Sequence, residues 1–114
     1  MQFQFNSDSS VMGTENVAER IEAQLRQKLD RFADKLTRLE VHVRDENGAK
    51  GGDDDKVCMI EARIRGDKPI GVTGKAGDVD AAARVAGNTM AQRLERYFGK
   101  SKRREPSPDK VIGG

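Results

Sequence analysis

The chain has no tryptophan, and only one tyrosine, one histidine and one cysteine among its 114 residues. Each scarcity removes a class of explanation. A single cysteine excludes an intramolecular disulfide framework and suits a reducing compartment. One histidine and one cysteine offer no cluster with metal-ligand spacing. No run approaches the ~20 apolar residues of a membrane-spanning helix. The opening MQFQFNSDSS carries neither the basic nor the apolar region of a secretion signal. The expectation is a cytoplasmic protein with no membrane partner. Aromatic residues are 4% of the chain and charged residues 35%, against a usual charged share of ~25%. The core must therefore be modest and aliphatic.

What is present is alternation. Phe3 and Phe5 alternate with glutamines, and Leu39, Val41 and Val43 alternate with Glu40, His42 and Arg44. Cys58, Ile60, Ala62 and Ile64 alternate with Met59, Glu61, Arg63 and Arg65, and Ile70 and Val72 follow a turn at Gly66-Asp67. Period-two patterning with one apolar face marks strands covered on one side only. Between Glu15 and Thr37, Ala18, Ile21, Leu25, Leu29, Phe32 and Leu36 recur at three- and four-residue steps, which predicts an amphipathic helix. A second helix is predicted from an N-cap at Asp78 through Val79, Ala83, Ala86, Met90, Leu94 and Tyr97, with Gly99 as its stop. Ala82, Ala83, Ala86 and Gly87 allow close approach of that helix to its neighbour.

The predicted order is β-α-β-β-β-α: an α/β chain folded as a two-layer α+β sandwich. A four-stranded mixed sheet carries two parallel helices on one face, with its first two strands parallel. The domain spans residues 1–100. Residues 101–114, SKRREPSPDKVIGG, lose periodicity and gain proline and charge, which predicts a disordered basic tail.

Enzyme chemistry finds little support. The Asp/Gly-rich stretch DENGAKGGDDDK invites a calcium loop. Counted from Asp45, however, Ala49, Lys50 and Lys56 stand where an EF-hand needs an oxygen ligand, a glycine and a bidentate glutamate. It reads as a hairpin connection rich in residues that tolerate positive φ. His42 falls on the solvent face of a strand, and Cys58 falls on the inner face, where a thiol stays protonated. GVTGKAGD lacks the Walker spacing. No catalytic residue, metal, cofactor or small-molecule substrate is expected.

Charge is more informative. The formal net charge is only +2, yet the charges segregate. Advancing ~100° per residue, Arg20, Lys28, Arg31, Lys35 and Arg38 fall on one flank of the first helix. Glu15, Glu19, Glu22, Asp30 and Asp34 fall on the other, with Arg26 the exception. Arg93, Arg96 and Lys100 line one flank of the second helix, and Lys102, Arg103 and Arg104 extend it. Basic stripes on helices are the footprint of phosphate-backbone binding, although Arg and Lys also lie along the edge of a core. The outer sheet face mixes Arg44, Arg63 and Arg65 with Glu40 and Glu61 and has no aromatic pair, unlike a base-stacking sheet. The candidate RNA-binding residues are Arg20, Lys28, Arg31, Lys35, Arg93, Arg96, Lys100 and Lys102.

KLDRFADKLTRLEVHVRDENG, CMIEARIRGDKPIGVTGKA and MAQRLERYFGK, taken in order, resemble the ribosome hibernation-promoting factor family. That family includes ribosome-associated inhibitor A and is also called the sigma-54 modulation family. The similarity spans roughly residues 1–100 and points to a short form. It implies a fold like that of double-stranded-RNA-binding domains and a non-enzymatic factor that binds small-subunit rRNA. The implied site is the channel of mRNA and tRNA, occupied under stress or in stationary phase. Lys28 and Arg31 in KLDRF, and Arg96 and Lys100 late in the second helix, match basic positions of the family, and Arg93 is basic in many members. Thr89 stands where the family usually has lysine. Off the ribosome the protein is expected to be monomeric. Two other readings remain open: a regulator that docks a basic protein on the acidic flank, and a generic duplex-RNA binder.

Overall fold

The computed structural model describes residues 1–7, 16–46 and 56–104, with side chains through Gly99. Strands β1 (Gln2–Ser7), β2 (Leu36–Asp45), β3 (Lys56–Ile64) and β4 (Ile70–Ala76) form one sheet in the order β1-β2-β3-β4. β1 pairs with β2 in parallel; the other two pairings are antiparallel. Helix α1 (Val17–Lys28) connects the parallel strands, and helix α2 (Val79–Arg104) follows β4. The predicted order and the mixed sheet are both found.

Registry explains the one-sided core. Phe5 pairs with Val41, Val41 with Ile60, and Ile60 with Val72, so one apolar row crosses all four strands. Ile21, Leu25, Leu29, Met90 and Leu94 descend onto that face from the helix layer, each fully buried. The other face stays polar. There, Glu40 lies 3.2 Å from Arg38 Nε and 3.4 Å from Arg63 Nε, which neutralises a carboxylate set directly opposite Glu61.

The helices run parallel, as their cross-contacts show. Arg20 meets Asp80, Lys28 meets Asn88 and Arg31 meets Glu95, offsets of 60, 60 and 64 residues. A near-constant offset means both chains advance in the same direction. Small residues bring α2 down onto β4. A Cβ built on Gly74 would lie 2.5 Å from the Ala86 nitrogen and 2.7 Å from the Ala82 oxygen. Asp78 caps α2, its Oδ1 accepting from the Ala81 N–H at 2.7 Å. Asp78→Ala is expected to cost about 1 kcal/mol, read as a lower urea midpoint with an unchanged slope.

Three boundaries differ from the sequence reading. The first helix does not continue to Thr37. It ends at Lys28, a 3₁₀ turn occupies Asp30–Lys35, and β2 begins at Leu36. The ladder to β3 is irregular between Leu36 and Arg38. Leu36 and Leu39 therefore both face the core although they are three apart, a spacing that imitates a helix. Arg38 consequently belongs to the sheet and leaves the basic flank of the helix. At the other end, Gly99 does not stop α2, which runs on to Arg104. Gly66 is the one glycine among the described residues with positive φ, so Gly99 lacks the left-handed conformation of a glycine stop. Residues 47–55, expected from the sequence to form a hairpin connection, and residues 105–114 of the expected tail lie outside the described residues.

Candidate nucleic-acid interface

With the sheet covering one side of the core, the helix layer presents the other. α1 turns Ile21 and Leu25 inward, which sends Arg20 and Lys28 to its border with α2. The 3₁₀ turn buries Phe32 and carries Arg31 and Lys35 along the same border. These four candidates meet α2 one after another. Arg20 Nη2 lies 2.9 Å from Asp80 Oδ2, and Lys28 donates to Asn88 Oδ1 at 2.7 Å. Arg31 Nη2 lies 2.5 Å from Glu95 Oε1, with its guanidinium 4.7 Å from the centre of the Phe32 ring. The Lys35 ammonium sits 5.5 Å above the centre of Phe98. All four are brought together on one seam.

Arg93 and Arg96 lie elsewhere on α2. At ~100° per residue they stand about 160° and 100° from Glu95, so they face outward and toward the flank away from α1. Both are exposed, and neither has a hydrogen bond or ion pair among the described residues. Lys100 and Lys102 continue the same helix backbone, but their side chains lie outside the described residues. The basic surface thus spreads from the seam over the crest of α2; it is not a pair of adjoining stripes.

One further cation, outside the sequence-predicted set, joins this surface. Arg84 is exposed and lies one turn from both Asp80 and Asn88, so it stands on the seam between the Arg20 and Lys28 contacts. Its signal in the sequence is the four-residue spacing of Asp80, Arg84 and Asn88, but that this row borders α1 is set by how the two helices pack. Thr89 donates its hydroxyl to the Val85 carbonyl at 3.1 Å and adds no charge.

The acidic flank is set apart from this surface. Glu22 holds Arg26 at 2.7 Å, and Arg26 in turn lies over the Phe3 ring and donates to the Met1 carbonyl. This accounts for Arg26 as the exception: it anchors α1 to β1. Glu15 lies outside the described residues.

Burial pushes the Cys58 thiol up to about 12, leaving it neutral and unreactive at physiological pH. His42 is exposed on the open sheet face, 4.0 Å from Glu40 Oε1. The Tyr97 hydroxyl donates to Asp67, which holds that carboxyl below its usual range and raises the phenol. That bond ties α2 to the β3–β4 turn. Among the described residues, no three His, Cys, Asp or Glu side chains gather into a metal site. No described helix is long and apolar enough to cross a membrane.

A family model described as sigma 54 modulation protein / S30EA ribosomal protein matches residues 7–102. Solved structures of similar architecture include the N-terminal domain of Protein Y from Thermus thermophilus. It shares 18% identity with a TM-score of 0.67, covering 85% of this chain and 99% of that one. A ribosomal subunit interface protein from Coxiella burnetii gives 16% identity and a TM-score of 0.67, covering 87% and 99%. At such identities the likeness speaks for the fold. No curated protein sequence matches the chain.

Proposed function

The chain belongs to the sigma 54 modulation protein / S30EA ribosomal protein family, and we propose that it is a ribosome-associated hibernation factor. It binds the small subunit through rRNA, in the channel that mRNA and tRNA otherwise occupy, and silences idle ribosomes in the cytoplasm under stress or in stationary phase. It performs no catalysis. The carrying observation is the cationic helix layer: Arg20, Lys28, Arg31 and Lys35 meet α2 along one seam, and Arg84, Arg93 and Arg96 add exposed cations on α2. On the sheet's outer face acids and bases interleave, with Arg38 and Arg63 both paired to Glu40. Phosphate contacts supply affinity and orientation without reading sequence. The packed two-helix surface supplies the shape match by which folded RNA is recognised.

Inhibition on this account is steric exclusion. The expected behaviour is co-sedimentation with vacant small subunits that weakens steeply as salt rises, because each neutralised phosphate releases counterions. Sedimentation with bulk RNA and none with intact subunits would reject the proposal in favour of a generic duplex binder. A stoichiometric protein partner that survives ribonuclease treatment, with no subunit binding, would favour the acidic-flank regulator.

A further inference from the structure

We infer that Asp80 and Glu95 set the selectivity of the helix face, by occupying two of its arginines with carboxylates. The inference rests on the proposed RNA-binding role of that face. Four cations from the α1 side reach the seam, and α2 answers them with alternating chemistry. Arg20 meets the Asp80 carboxylate, Lys28 the neutral Asn88 amide, Arg31 the Glu95 carboxylate, and Lys35 the Phe98 ring. Helix cohesion does not require the two acids. A Cβ on Gly87 would lie 2.8 Å from Leu25 Cδ2, and Leu25, Met90 and Leu94 are fully buried beneath the seam. The ion pairs themselves lie in solvent, with side chains 42% and 41% exposed for Arg20–Asp80 and 60% and 66% for Arg31–Glu95. Pairs so exposed contribute little to stability.

Their effect on a polyanion is larger. A phosphate approaching Arg20 or Arg31 meets a guanidinium already shared and a negative charge within hydrogen-bonding distance of it. An isolated RNA duplex offers chiefly phosphates, so it loses a large share of its attraction. A folded rRNA surface that fits the layer also engages Arg84, Arg93 and Arg96 and excludes water by shape, so it loses a smaller share. Discrimination then comes partly from a built-in repulsion against the wrong partner. In this scheme Asp80 and Glu95 act through the arginines they hold, without touching RNA.

The test compares the parent chain with two charge-matched variants: Asp80→Asn with Glu95→Gln, and Glu19→Gln with Glu22→Gln on the opposite flank. The probes are a short RNA duplex and vacant small ribosomal subunits, each at two salt concentrations. The seam variant is expected to bind the duplex on the order of tenfold more tightly, with a salt slope steeper by about one to two units. Its gain on subunits should be smaller, so the ratio between probes falls, while the control variant leaves that ratio unchanged. Unchanged duplex binding, or an equal gain in the control, overturns the inference. Weaker binding to both probes overturns it too, since the carboxylates would then be positioning the arginines. Arg93→Glu with Arg96→Glu, run alongside, separates the two levels. If it weakens neither probe, the RNA-binding reading has failed; if it weakens both while the seam variant changes nothing, only the selectivity inference has.

Discussion

Reversal of Arg93 and Arg96 to glutamate is expected to abolish ribosome binding in a protein that remains folded. Both side chains are exposed and lie off the buried line of Ala82, Ala86, Met90 and Leu94, so the helix loses no packing. Neither is paired among the described residues, so no partner is left stranded. Two lost phosphate contacts alone weaken binding on the order of fiftyfold at 0.1 M salt, and the two new negative charges add repulsion. The salt slope should shrink by about two units. Reversing Glu19 and Glu22 to lysine should leave binding intact or strengthen it, because that flank lies on the β1 side of α1. Subunit affinity at two salt concentrations, with circular dichroism as the check on folding, decides the matter. A folded Arg93/Arg96 variant that still binds normally would reduce the crest of α2 to a solvated surface.

The largest effect on stability is expected from a single methyl group. Gly74→Ala places a Cβ 2.5 Å from the Ala86 nitrogen, 2.7 Å from the Ala82 oxygen and 3.0 Å from the Ala86 Cα. All three atoms belong to the α2 backbone, so no rotamer change relieves the overlap and the helix must rise off β4. Overpacking of this kind costs about 3 kcal/mol, and a domain of this size loses roughly 4–8 °C of melting temperature per kcal/mol. A fall of more than about 10 °C is expected. Gly71→Ala supplies the internal control. It lies in the same strand with open surroundings, the Ile60 oxygen being 3.9 Å from its Cβ, and should melt within about 2 °C of the parent. Equal melting of the two variants would contradict the close docking of α2 on β4.

Most of the fold was legible because each strand keeps one apolar face. Strict alternation in β1, β2 and β3 located the sheet, and the three-four spacing of Val79, Ala83, Ala86, Met90 and Leu94 located α2. The misreading fell where the two periods coincide. Leu25, Leu29, Phe32 and Leu36 are spaced as in a helix, yet Phe32 is buried from a 3₁₀ turn and Leu36 from a strand. No glycine or proline marks the break, and an irregular strand pairing is set by its partner, Ile64, rather than by local sequence. The charged residues were legible as types but not in their pairings. A helical projection separates the basic and acidic flanks of α1. It gives no sign that Asp80 and Glu95 of α2 would meet Arg20 and Arg31, because contacts 60 and 64 residues apart depend on how the helices pack. The place of Arg84 on the seam depends on the same packing.

On the proposed function, the helix face takes the place of mRNA and tRNA on the small subunit. Its most direct test is the affinity of the protein for small subunits that are vacant, compared with subunits preloaded with mRNA and tRNA. Tight, salt-sensitive binding to vacant subunits that is lost on preloading is the expected result. Equal binding to both, with mRNA and tRNA still in place, would contradict it.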